Sequence, residues 1–170
     1  MGVGKISAVA DSGPIIHLTE IGCLQILSIF GNLHVPEAVW AETVECGRIP
    51  KDDFLKLSNV ERHKLSQSDV IRFVERNNLK TLHLGEHQCL YLCKQISVSI
   101  LLTDDLAVRE KAKYLDLIPV GPLGVVVKAY RLGRISKTEA VRYITALYDV
   151  GSLFVTRSIV EIAIEQINKH

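Results

Sequence analysis

A chain of 170 residues (18.9 kDa) with 48% hydrophobic and 23% charged residues is long enough to bury roughly two thirds of its unfolded surface and lies outside the composition of disorder. A net charge of +1 supplies no global basic field, so a nucleic-acid partner would have to be recognised by a local patch or a site. No apolar run reaches the ~18 residues of a membrane span, and "MGVGKISAVADSG" lacks the pattern of a secretory signal.

The expectation is therefore one cytoplasmic domain over residues 1–170 with no membrane association, its core over about 6–150 and a closing helix. Cys23, Cys46, Cys89 and Cys93 are expected to be reduced small hydrophobes rather than a disulfide framework.

In chain order, Ile6–Ala10 reads as a short buried strand, followed by turn chemistry and a helix start at Asp11-Ser12-Gly13-Pro14. One or two short helices run to Gly31. Leu33–Val35 predicts a second strand, with Pro36 as the first helical residue of "PEAVWAETVEC". The segment 47–64 is polar and irregular. Ser66 and Asp69 open a helix to about Arg76, and Gly85 marks the start of another to about Gln95.

Val98–Leu102 is the clearest strand, apolar enough for a sheet covered on both faces. A helix over Leu106–Tyr114 and a strand over Leu117–Val120 follow. Pro122 to Gly133 brackets a further helix, Ser136 with Glu139 caps the next, and about 156–167 forms the last. This alternation predicts an α/β fold, a three-layer α/β/α sandwich with a mainly parallel central sheet. Such sheets carry their sites at the carboxyl ends of the strands.

Asp11 and Asp104 each follow a strand at that end. Glu42 is expected on the inward stripe of its helix with Val39 and Cys46, and Glu86 heads an apolar stripe with Cys89, Cys93 and Ile96. Each has a plainer reading: Asp11 as a helix cap, Glu42 and Glu86 at a stripe margin, Asp105 as a helix-start residue paired with Arg109.

Asp104 has no such excuse. Crowded together, the carboxylates would raise one another's pKa unless a cation were present. Oxygen ligands without matching histidines or thiolates suit Mg²⁺ or Mn²⁺, and such a centre suits phosphodiester hydrolysis.

"AVADSGPIIHL", "VPEAVWAE", "LGEHQCLYL" and "ILLTDDLAVREKA", in this order, together with "PVGPLGVVVKAYRLGRI", resemble the PIN-domain family, particularly its VapC-like prokaryotic subgroup. The resemblance implies a metal-dependent endoribonuclease acting on RNA, often the toxin of a toxin–antitoxin pair and commonly a homodimer. Its acidic quartet maps onto Asp11, Glu42, Glu86 and Asp104, with Asp105 as a fifth metal-binding acid. Ser12 and Thr103 match small hydroxyl residues beside the acids. The third acid is usually Asp in better-known members and is Glu86 here.

The competing class is a PIN-like module that binds RNA or protein without catalysis. "GVGKIS" is not a phosphate loop, because no strand precedes it and Ile6 follows Lys5. Asp11 is not an aspartyl-phosphate nucleophile, because Gly13 stands where the second acid would be. Cys89 and Cys93 are read as core rather than as zinc ligands with His83 and His87, and Trp40 as a packing or dimer contact. Arg109, Arg131 and Arg134, with Lys137 and Arg142 nearby, are the candidate RNA-backbone contacts, a solvated face being the alternative.

Overall fold

The computed structural model describes residues 6–170; the Gly2–Lys5 stretch set aside as a phosphate loop lies outside them. Five parallel strands form one sheet, β1 (Ala8–Ala10), β2 (Leu33–Pro36), β3 (Val60–His63), β4 (Ile100–Leu102) and β5 (Ile118–Val120), in the order β3-β2-β1-β4-β5. Helices flank it on both faces, giving the expected α/β/α sandwich.

β1, β2 and the last two residues of β4, Leu101 and Leu102, are buried, as strands covered on both faces must be. The helices are α1 (Ser12–Glu20), α2 (Glu37–Trp40), α3 (Lys51–Leu55), α4 (Gln67–Arg76), α5 (Leu84–Gln95), α6 (Leu106–Tyr114), α7 (Pro122–Arg131), α8 (Lys137–Asp149) and α9 (Arg157–Asn168), with a 3₁₀ segment at Leu24–Ile29. α5 lies on β1, β2 and β4, while α7 packs against α1, α8 and α9. No helix among the described residues is long and apolar enough to cross a membrane.

The chain leaves β1 towards β2 and β3 on one side and returns through β4 and β5 on the other. The β1–β4 boundary is thus the topological switch point, where side chains following the strands face an open crevice. The ladder continues one residue beyond the strands: Asp11 N–H donates to Leu102 O (2.9 Å) and Thr103 N–H to Val120 O (3.0 Å). Asp11 and Thr103 are set side by side at the sheet's carboxyl edge by backbone pairing alone.

Several local expectations are corrected. The segment 47–64 is ordered into α3 and β3 rather than irregular. Pro36 ends β2 with extended backbone and is the cap of α2 instead of its first residue. α5 begins at Leu84 with His83 as its cap, so Gly85 lies within the first turn.

The helix after β2 changes to a π turn over Ala41–Glu45. That wider turn shifts the side-chain phase: Val39 and Thr43 are fully buried while Cys46, expected on the inward stripe, is exposed. Cys23, Cys89 and Cys93 are buried free thiols. Trp40 is buried in edge-to-face contact with Phe54 (centroids 5.3 Å), and the Arg62 guanidinium lies 4.7 Å from its ring centre.

Candidate functional site

Asp11 caps α1. Its Oδ1 accepts from Ser12 N–H (2.8 Å) and its Oδ2 from the buried Thr103 hydroxyl (3.3 Å). The residue is 6% exposed, and its carboxyl is pushed up to about 7, by burial first and by the charges of Glu86 and Glu42, against the Ser12 and Thr103 hydrogen bonds. The capping reading of Asp11 is correct, yet a cap does not require a carboxylate buried among others. The Cys89 thiol, whose Sγ lies 3.7 Å from Ala10 O, registers the same field. Burial, then Asp11, Cys93, Glu42 and Glu86, hold it well above the ordinary thiol range.

A pH dependence follows from Asp11. Unfolded, its carboxyl ionises near 3.8; folded, near 7. Between those values the folded state keeps a proton that the unfolded state has lost, so stability falls as pH rises through the window, by about 4 kcal/mol at most. In metal-free buffer, Asp11→Asn is expected to flatten the fall in melting temperature between about pH 4 and about pH 7. An identical slope in both proteins would contradict this.

Asp104, just beyond β4, is oriented by α1. His17 Nε2 lies 3.0 Å from its Oδ2, and His17 Nδ1 is 3.2 Å from Ser152 Oγ. Burial lowers the His17 pKa, but the Asp104 hydrogen bond and charge, then Glu20, outweigh it and leave it raised. Ser152 also holds Glu20 through its N–H (2.8 Å) and hydroxyl (2.7 Å), which ties the α8–α9 connection to α1 beside the site.

Two glycines leave room for the acids. A Cβ on Gly13 would stand 1.8 Å from Asp104 Oδ1, and one on Gly85 would stand 2.8 Å from Glu42 Oε1. Both distances are below any real Cβ contact. Gly13 and His17, at i and i+4, therefore form the face of α1 that receives Asp104. That spacing behind Asp11 was the available sequence signal for His17, which residue-type reasoning missed.

Glu86 closes the first turn of α5 by accepting from His83 N–H (2.8 Å). Asp105 caps α6 by accepting from Val108 N–H (3.0 Å). Asp105 does not pair with Arg109 as expected: the guanidinium donates to Thr103 O (3.1 Å) and lies 3.5 Å from where a Gly121 Cβ would stand. A carbonyl at the sheet edge takes the cation in place of the carboxylate.

Asp11, Ser12, Glu86, Asp104, Asp105 and Arg109 line one cleft of about 990 Å³, whose lining also includes the exposed Leu106 and Phe154. Glu42 stands behind it against Gly85. Arg131, whose guanidinium reaches Gln166 Oε1 (3.4 Å), and Arg134 are not among the lining residues. The imagined zinc set is not formed, since His87 Nε2 bonds Leu79 O (2.7 Å) and Cys89 faces Ala10 O.

An α/β protein with a carboxylate-lined cleft at the switch point of an all-parallel sheet is the class that fold and site define. The chain belongs to the PIN-domain family, whose model (DUF3368, PIN domain) matches residues 7–169. No curated protein and no solved structure matches it. PIN domains are typically nucleases that use divalent metals, so the fold is a nuclease fold.

The residues fit such a metal. The acids are not drawn together as a ligand set, since among the described residues no three of them bring ligand atoms within 4.8 Å of one another; the fit rests on their all-oxygen donor chemistry, which suits a hard cation. A carboxyl pushed up to about 7 by burial first, and then by the charges of Glu86 and Glu42, is a group that a cation would return to its charged form. Asp11, Asp104, Glu86 and Glu42 are the residues that could hold it, with Asp105 at the margin.

Proposed function

We propose that this protein is a Mg²⁺- or Mn²⁺-dependent endoribonuclease of the VapC-like kind, hydrolysing RNA phosphodiester bonds at the Asp11–Asp104 end of the cleft. The observation that carries the reading is the buried Asp11 carboxyl, beside Glu86 and Glu42, in a fold that needs no acid there. A bound divalent cation would neutralise the acids, offset charge on the phosphate and acidify water at neutral pH.

The chain's own residues orient that chemistry. Thr103 and the Ser12 N–H fix both oxygens of Asp11, and His17 fixes the rotamer of Asp104. Arg109, anchored on Thr103 O, adds a positive charge at the cleft wall that suits a phosphodiester. Leu106 and Phe154, 77% and 95% exposed, offer apolar faces to unstacked bases of single-stranded RNA.

The resemblance extends the proposal to a toxin role with an antitoxin partner and to a homodimer acting in the cytoplasm. The exposed Val150, Phe154, Ile159 and Ile162 around α9 are compatible with such contacts.

A metal titration separates this enzyme from a non-catalytic PIN-like binding module. The melting temperature of the wild type is expected to rise with Mn²⁺ or Mg²⁺ as RT ln(1 + [L]/Kd), and the rise to shrink in Asp11→Asn. Unchanged melting across the titration would favour the binding module.

A further inference from the structure

A second cluster of ligand-type side chains lies away from the acids, on the β2–β3 edge. His34 Nδ1 stands 2.8 Å from His63 Nε2 and 3.5 Å from Glu61 Oε2, and His63 Nε2 stands 3.8 Å from Glu61 Oε1. Among the described residues this is the one group whose ligand atoms all come within 4.8 Å of one another. The parallel register makes it: His34 is paired with Glu61, and His63 follows Glu61 by two, so all three side chains leave the same face of the sheet.

We propose that His34, Glu61 and His63 form a transition-metal site, with Zn²⁺ as the best-suited ion, that clips edge strand β3 to β2. Zn²⁺ bound at about 2.0–2.1 Å in a tetrahedron sets its ligand atoms about 3.3–3.4 Å apart. The His34–His63 separation of 2.8 Å is below that value, and the two Glu61 oxygens stand just above it, 3.5 Å from His34 Nδ1 (Oε2) and 3.8 Å from His63 Nε2 (Oε1). Small side-chain rotations therefore bring one oxygen and the two nitrogens to a tetrahedral edge. Two imidazoles with one carboxylate suit Zn²⁺ and its transition-metal neighbours, whereas Mg²⁺ prefers oxygen ligands.

The cluster also has the form of an open site. His34 is buried at the base, His63 is half-buried, and Glu61, 55% exposed at its side chain, is at the mouth. Three protein ligands leave the fourth position to water. His34 lies on β2, one strand spacing from β1, yet none of the three residues lines the acidic cleft, so the two sites can be tested separately.

The experiment uses the full chain stripped with chelator and returned to excess Mg²⁺. Titration with Zn²⁺ is expected to show one equivalent bound with a raised melting temperature, in the wild type and in Asp104→Asn alike. Co²⁺ in place of Zn²⁺ is expected to give the strong visible bands of a four-coordinate nitrogen-ligated ion.

His63→Gln and Glu61→Gln, both near the surface, are expected to weaken binding by more than the about 10–100-fold that follows loss of a mere supporting residue, with unchanged far-UV circular dichroism confirming the fold. Zn²⁺ binding that survives both substitutions, or a weak six-coordinate Co²⁺ spectrum, would overturn the proposal and leave the pair as a simple imidazole hydrogen bond. Neither result bears on RNA cleavage.

Discussion

Asp104→Asn is expected to lower RNA cleavage by at least about 10²-fold, the scale seen when a group that stabilises developing charge is removed, while leaving the fold intact. The amide keeps the size of the carboxylate and can still meet His17 Nε2, 3.0 Å from Oδ2 in the wild type. Stability should therefore change little while the anionic oxygen is lost. Single-turnover cleavage of single-stranded RNA by wild type and variant, with melting curves alongside, separates chemistry from folding. Full activity in a folded Asp104→Asn protein would remove Asp104 from the site.

The second large effect is expected from Gly13→Ala, a change of one methyl group. The added Cβ would fall 1.8 Å from Asp104 Oδ1, well inside van der Waals contact, so either Asp104 leaves His17 or α1 moves off the sheet edge. Overpacking of this kind costs about 1–3 kcal/mol. The accompanying misplacement of a ligand is expected to lower cleavage about 10²-fold, as a shift of roughly 1 Å does in other sites. Gly85→Ala is expected to act in the same sense and more weakly, since its 2.8 Å contact is with the flexible end of Glu42. Wild-type activity in Gly13→Ala would mean that Asp104 has another productive position.

These two residues also mark the boundary of what the sequence makes legible. β1 and β4 are readable because strands buried on both faces are continuous apolar runs, and α6 and α8 because Asp105, Ser136 and Glu139 carry cap chemistry that acts within one turn. Asp11 and Asp104 are readable as acids at strand ends for the same local reason.

β3 is not readable. Val60-Glu61-Arg62-His63 is three-quarters polar and half-exposed, since an edge strand needs only one partner and little core. The partnership of His17 with Asp104 joins positions 87 residues apart, and the Glu61–His34 pairing depends on a register that only the assembled sheet defines. The π turn in Ala41–Glu45 departs from the 3.6-residue period on which the inward placement of Cys46 was built. The Asp105–Arg109 pairing failed because sequence spacing gives reach but not the competing Thr103 carbonyl.

The central claim is that the carboxylates around Asp11 and Asp104 hold a divalent cation that RNA hydrolysis requires. It is tested most directly by following cleavage of a single-stranded RNA by the purified protein during chelation with EDTA and restoration with Mn²⁺ or Mg²⁺. Cleavage is expected to vanish on chelation and to return with either ion in the wild type, and not to return in Asp104→Asn. Cleavage that persists in EDTA would contradict the account.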